Sequence, residues 1–158
     1  MNFNRKIKVL IVDDSGIFRR VLFNQLKDNP DIDIVGMAKD PYEARDIIIK
    51  TSPDVLLLDI MMPGLDGIEF LNILKNKRDI PAIAMSGSSN NETNAIAAGA
   101  VDFIEKPTAK TIKYFNETIV QKIKKAAGFN DDSSINIKPK NINNININVS
   151  YSSKNIIA

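Results

Sequence analysis

The sequence contains no cysteine, no histidine and no tryptophan. Without Cys there can be no disulfide framework, thiolate nucleophile, zinc–thiolate site or iron–sulfur cluster. Without His, imidazole-based triads, imidazole metal sites and phosphohistidine are excluded as well. Any chemistry must come from carboxylates, hydroxyls, Lys, backbone groups or a bound ion. Charge of one sign is also missing: 21 Lys and Arg against 19 Asp and Glu leave +2, spread as +1 on either side of Ala127. Nothing here has the basic excess of a nucleic-acid surface. Long apolar runs are absent too. The positive charges of Arg5, Lys6 and Lys8 precede only a short apolar run that ends in two acids, which is neither a signal peptide nor a transmembrane segment. The chain reads as cytosolic, with no membrane insertion.

What is present is enough for one packed domain. Of 158 residues 44% are hydrophobic, sufficient for a core in a body of about 125 residues. Short β-branched runs alternate with helical patterns. Strands are expected at 7–12, 32–36, 55–58, 82–85 and 101–104. Between them lie helical faces: Phe18, Val21, Leu22, Gln25 and Leu26; Ala44, Ile47 and Ile48; Ile68, Leu71 and Leu74; a weak one over 90–98. A last face carries Ile112, Phe115, Ile119 and Ile123 at spacings of three and four. Five strands alternating with five helices predict a doubly wound α/β fold of the flavodoxin-like kind. Right-handed crossovers make its sheet parallel, and the order 2-1-3-4-5 suits five strands.

Composition changes after Ala127. Residues 128–158 hold eight Asn and seven Ile, and no helix-turn-helix pattern. An Asn/Ile-rich linker or tail is expected, with strand-like alternation over 145–151. The domain division is therefore 1–127 and 128–158.

Asp13 and Asp14 follow the first strand directly, and Asp59 follows the third. Each has an ordinary structural role available: Asp14 or Ser15 can cap the first helix, and Asp59 can serve a turn. Taken together, the strand order makes the first and third strands neighbours and puts all three carboxylates in one cleft. Three like charges there need a cation, and a hard divalent ion such as Mg²⁺ suits oxygen ligands that leave it several waters. The fourth strand ends at Ser86, otherwise a turn residue, and the fifth leads to Lys106-Pro107, otherwise a surface Lys before a helix. A hydroxyl and an ammonium beside acid-bound Mg²⁺ would suit phosphoryl transfer. A cis Lys106-Pro107 bond would aim the Lys inward, a point the sequence leaves open.

Val12-Asp13-Asp14-Ser15, the run from Leu58-Asp59 through Met61-Met62-Pro63-Gly64 to Asp66-Gly67, Ser86 and Lys106-Pro107 together resemble response-regulator receiver domains, the CheY-like family, over roughly 6–127. The resemblance implies that Asp59 accepts a phosphoryl group from the histidine kinase of a two-component system. It implies Asp14 as a direct Mg²⁺ ligand, Asp13 acting largely through water, and Met61 binding through its backbone carbonyl. Ser86 and Lys106 would contact phosphoryl oxygens. Phe103 matches the family's switch aromatic, otherwise a core residue, and would turn inward when Ser86 is recruited. The fourth helix, fifth strand and fifth helix would then form the changing face that meets an output domain or target.

Within that family Asp13-Asp14-Ser15 with Phe18-Arg19-Arg20-Val21-Leu22, the run 29–36 and the run 99–107 are similar to the N-terminal receiver of the CheB-type chemotaxis protein-glutamate methylesterases. The last five residues, Lys154 onward, look like the opening strand of a methylesterase domain. A stand-alone CheY-like regulator and an unphosphorylated interaction module are the alternatives on this fold. An aspartyl-nucleophile, Mg²⁺-dependent phosphohydrolase would place Asp-x-Asp after the first strand, where this chain has Asp13-Asp14-Ser15. With neither a His base nor a G-x-S-x-G loop, the chain itself is expected to show no esterase activity. Its chemistry would be limited to self-phosphorylation and self-dephosphorylation at Asp59.

Overall fold

The computed structural model describes residues 5–62, 67–77 and 79–129. The chain divides into two units, Met1–Gly128 and Phe129–Ala158. The expected Asn/Ile-rich linker and the strand-like ending from Lys154 lie outside the described residues. In the first unit, β1 (Ile7–Val12), β2 (Ile32–Ala38), β3 (Val55–Asp59), β4 (Ala82–Ser86) and β5 (Asp102–Glu105) form one sheet in the order β2-β1-β3-β4-β5. All four strand pairings are parallel. The helices are α1 (Gly16–Leu26), α2 (Pro41–Thr51), α3 (Gly67–Lys77), α4 (Glu92–Ala97) and α5 (Ile112–Ala126). This is the doubly wound α/β fold expected from the strand–helix alternation. No helix among the described residues is long and apolar enough to cross a membrane.

Burial explains the strand sequences. A parallel sheet covered by helices on both faces has no solvent side, so its central strands are apolar at every position rather than alternating. Every residue of β3 and β4 is buried. Local chemistry sets the helix ends. Ser15 caps α1 by accepting the Phe18 N–H at 3.1 Å. Asp40 does the same for α2 through the Glu43 N–H, with Pro41 preorganising the first turn. Ser52, in the left-handed region at φ 47°, closes α2 ahead of Pro53. α5 buries Phe115, Ile119, Val120 and Ile123 along one face.

Several boundaries differ from the sequence expectation: β3, β4 and β5 each end one residue later, at Asp59, Ser86 and Glu105. β2 runs on to Ala38, and its pairing with β1 shifts register between Val9 and Leu10, next to a glycine, Gly36. β5 begins at Asp102 rather than 101, its ladder with β4 opening on the pair Ile83 and Asp102, although the Val101 N–H already bonds to the Ala82 carbonyl. The weak fourth helix is a 3₁₀ turn over Ser89–Asn91, capped by Ser88, followed by only six residues of α-helix. The Lys106–Pro107 bond is trans.

Two glycines show where the backbone must come close to a neighbour. A Cβ on Gly67 would stand 2.4 Å from the Cα of Ile60 and 2.6 Å from the Asp59 carbonyl oxygen, so α3 begins against the end of β3 itself. A Cβ on Gly36 would meet the Ile47 side chain at 2.8 Å, a contact that the tip of a flexible chain can relieve. Overpacking against backbone is the costlier case. Gly67→Ala is therefore expected to lose about 3 kcal/mol, and Gly36→Ala about 1 kcal/mol, in urea unfolding. Equal losses would mean that the Gly67 contact is not tight.

Candidate functional site

Parallel strands all end on one edge of the sheet, and the polar residues gather there. Asp13 follows β1, Asp59 ends β3, Ser86 ends β4 and Lys106 follows β5. Ladder hydrogen bonds continue past the strands and hold these residues by their backbones. The Asp13 N–H donates to the Ala38 carbonyl at 3.0 Å, and the Ile60 N–H donates to the Met85 carbonyl at 3.0 Å. The Lys106 N–H donates to the Ser86 carbonyl at 2.7 Å.

The carboxylates of Asp13, Asp14 and Asp59 each bring an oxygen within 4.8 Å of the others. Asp13 is fully buried, and its Oδ1 accepts the Ser15 N–H at 2.8 Å. Its Oδ2 accepts no well-aligned hydrogen bond and faces the Lys106 ammonium at 2.7 Å. Asp59 is 3% exposed; its Oδ1 accepts the Met61 N–H at 2.9 Å and its Oδ2 stands 3.4 Å from Lys106 Nζ. Asp14 is exposed. When all are ionised, three carboxylates and one ammonium leave two negative charges uncompensated. Hard oxygen donors, a net deficit of two positive charges and an under-satisfied buried oxygen on Asp13 all fit a small divalent cation.

Ser86 is buried, and its Oγ accepts the Ser88 N–H at 3.2 Å and the Asn91 amide at 2.7 Å. Phe103 is 6% exposed and packs in the main apolar core. Phe103 is thus a buried core residue while Ser86 is held by Asn91. The Met61 side chain is 63% exposed, and it is the backbone N–H of this residue that meets Asp59.

Three contributors escaped the sequence analysis as site residues. Arg19 donates to the Asp13 carbonyl at 2.6 Å, Asn91 holds Ser86, and the Phe18 ring lies 4.5 Å from Lys106 Nζ. Arg19 and Asn91 read as solvated helix residues, and Phe18 as one of a core stripe. The only available signal was position: Phe18 and Arg19 lie within the first turn of the helix that follows the acidic pair.

Burial raises the Asp59 pKa above its ordinary value of 3.8, and the nearby Asp13 charge adds to this, while the Met61 N–H and Lys106 pull it back without cancelling the rise. An acid whose pKa is raised by folding holds its proton more tightly in the folded state. The contribution of Asp59 to folding is then most favourable below pH 3.8 and weakens as pH rises through the folded-state pKa. Asp59→Asn, which removes the charge, should therefore raise the melting temperature by a few degrees at neutral pH in EDTA. The gap should close at pH below 3.8. A variant less stable than wild type at neutral pH would contradict the electrostatic account.

Comparison with known proteins fits this geometry. Residues 9–113 match the response regulator receiver domain. A protein-glutamate methylesterase/protein-glutamine glutaminase of Syntrophotalea carbinolica is 40% identical over 133 residues, covering 80% of this chain and 38% of that protein. One from Ralstonia nicotianae is 42% identical over 134 residues, covering 80% of this chain and 35% of its own length. The chain thus spans little more than a third of these relatives. The crystal structure of the response regulator domain of Thermotoga maritima CheB superposes with a TM-score of 0.70 at 37% identity, covering 80% of this chain and all of that one. Chemotaxis protein CheY4 of Vibrio cholerae superposes with a TM-score of 0.63 at 25% identity, covering 77% of this chain and 98% of that one. An acidic cluster at the strand ends, a Lys beyond the fifth strand and a sequence match that spans both make this chain a member of the response regulator receiver domain family.

Proposed function

We propose that the chain is a phosphorylation-controlled switch in which Asp59 takes a phosphoryl group from a histidine kinase. The observation that carries this reading is the setting of Asp59, a nearly buried carboxylate with one oxygen pinned by the Met61 N–H and the other facing Lys106. A carboxylate oxygen of Asp59 attacks phosphorus, the P–N bond of the kinase's phosphohistidine breaks, and the departing imidazole takes a proton from solvent. Water later attacks the acyl phosphate and returns the free carboxylate with inorganic phosphate.

Asp14, Asp59 and the Met61 carbonyl are the proposed direct ligands of Mg²⁺, with Asp13 acting largely through water. Asp14 is the exposed, uncommitted carboxylate, whereas Asp13 is engaged by Ser15 and Lys106. Bound there, the ion would neutralise charge that builds on the phosphoryl oxygens. Lys106 has Nζ placed to follow those oxygens. Both lone pairs of Ser86 Oγ are engaged by Ser88 and Asn91, which leaves its proton free to donate. Drawing Ser86 toward a phosphoryl group would strain its bond to Asn91 and pass the change to the 3₁₀ turn and α4. Phe103 would act from its buried place on β5. The face of α4, β5 and α5 carries the exposed Ile96, Val101 and Tyr114, apolar residues that suit an output contact.

Identity to methylesterases more than twice this length supports a regulatory role in a cytoplasmic chemotaxis methylesterase. In this reading residues 1–127 are the receiver and 128–158 lead toward the output portion.

Mass spectrometry after incubation with acetyl phosphate and Mg²⁺ is expected to show a single phosphoryl addition, absent in Asp59→Asn. Unchanged labelling of that variant would overturn the assignment. In calorimetry, Asp14→Ala should abolish most Mg²⁺ binding, while Asp13→Ala should weaken it about tenfold, as loss of an outer partner does. Wild-type affinity in Asp14→Ala would refute the ligand set.

A further inference from the structure

We propose that Phe18 is a positioning residue for Lys106, an aromatic wall that keeps the ammonium over the carboxylates without using up its hydrogen bonds. This rests on the phosphoacceptor reading only where the rate of phosphorylation is concerned.

Lys106 is a long, flexible chain with one charged atom to place. Its Nζ meets Asp13 Oδ2 at 2.7 Å and Asp59 Oδ2 at 3.4 Å. The same Nζ lies over the Phe18 ring, 4.5 Å from its centroid. The negative face of an aromatic ring attracts a cation, and more strongly where water is largely removed. The Lys106 side chain is 21% exposed, so that condition is partly met.

The ring is itself well held. Ser15 caps α1 through the Phe18 N–H at 3.1 Å, and the adjacent Arg19 ties the same turn to the Asp13 carbonyl at 2.6 Å. The Phe18 ring also packs edge-on against Phe115 of α5, with centroids 6.3 Å apart and planes at 63°. The ring therefore joins the helix that follows the acidic pair to the helix that follows Lys106.

A ring differs from a third carboxylate in what it asks of the ammonium. It attracts charge over a broad area and claims no particular N–H direction, so the donors stay available for oxygens. Lys106 can then turn its N–H donors toward an arriving phosphoryl oxygen while the ring keeps Nζ in place. An aliphatic side chain of similar volume would pack against Phe115 but would not hold the charge.

The test compares wild type with Phe18→Leu, Phe18→Tyr and, as a second ring-less variant should Leu pack poorly, Phe18→Met, each checked for folding by its amide spectrum. NMR should show the Lys106 ε-methylene protons shifted upfield by ring current in wild type and Phe18→Tyr, and at ordinary values in the ring-less variants. At saturating Mg²⁺, phosphorylation by acetyl phosphate should slow about tenfold in the ring-less variants and recover to within about twofold of wild type in Phe18→Tyr. Identical ε-methylene shifts with and without the ring, or a ring-less variant phosphorylated at the wild-type rate, would overturn the proposal. Should wild type itself take no phosphoryl group, the phosphoacceptor reading fails, and the ring-current comparison alone decides the placement of Lys106.

Discussion

Two buried carboxylates cannot stand side by side in ionised form without a cation, and the functional edge of this sheet is organised around that constraint. Like unit charges about 4 Å apart repel by about 4 kcal/mol at an effective dielectric of about 20, a large fraction of a small domain's stability. Lys106 answers part of this by bridging Asp13 and Asp59, but one ammonium does not balance three acids. Burial, with the Asp13 charge adding to it, keeps the pKa of Asp59 raised, and the remaining charge makes the cleft a place where a divalent ion is welcome. Readiness for a cation and electrostatic strain in the metal-free protein are the same property.

The edge has a rigid side and an adjustable side. On the rigid side, Asp13 and Asp59 sit at the ends of the two central strands, and each has one oxygen fixed by a backbone N–H two residues on. Gly67 brings the start of α3 against the Asp59 carbonyl, so the end of β3 has little room to move. On the adjustable side, Ser86 and Lys106 are held by side-chain contacts: Asn91 for the hydroxyl, Asp13 and the Phe18 ring for the ammonium. A nucleophile needs a fixed position, whereas groups that follow a transferred phosphoryl group need partners they can exchange.

Burial of Phe103 bears on how such a change would travel. With the ring among the core residues, the side-chain bond that a new negative group at Asp59 would compete with in the proposed switch is the one between Ser86 and Asn91. Asn91 ends a 3₁₀ turn that leads into a six-residue α4, the shortest helix described and the one least able to resist a shift.

The sequence by itself determined the strand–helix alternation, the parallel sheet and its order, because apolar runs without alternation are stable only where both faces are covered. It determined the acidic cluster as well, since parallel strands must end on a common edge and Asp13, Asp14, Asp59, Ser86 and Lys106 all fall at those ends. Tertiary structure decided what periodicity does not carry. Which way Phe103 faces, which partner holds Ser86, and how Arg19 and Phe18 serve Asp13 and Lys106 all depend on residues distant in the chain meeting through side-chain geometry. Val101 became exposed, and the fourth helix shortened, because pairing with β4 and capping by Ser88 outweighed weak local preference. A pattern of spacing reports which face of an element is buried; only the packed fold decides which atoms on that face meet.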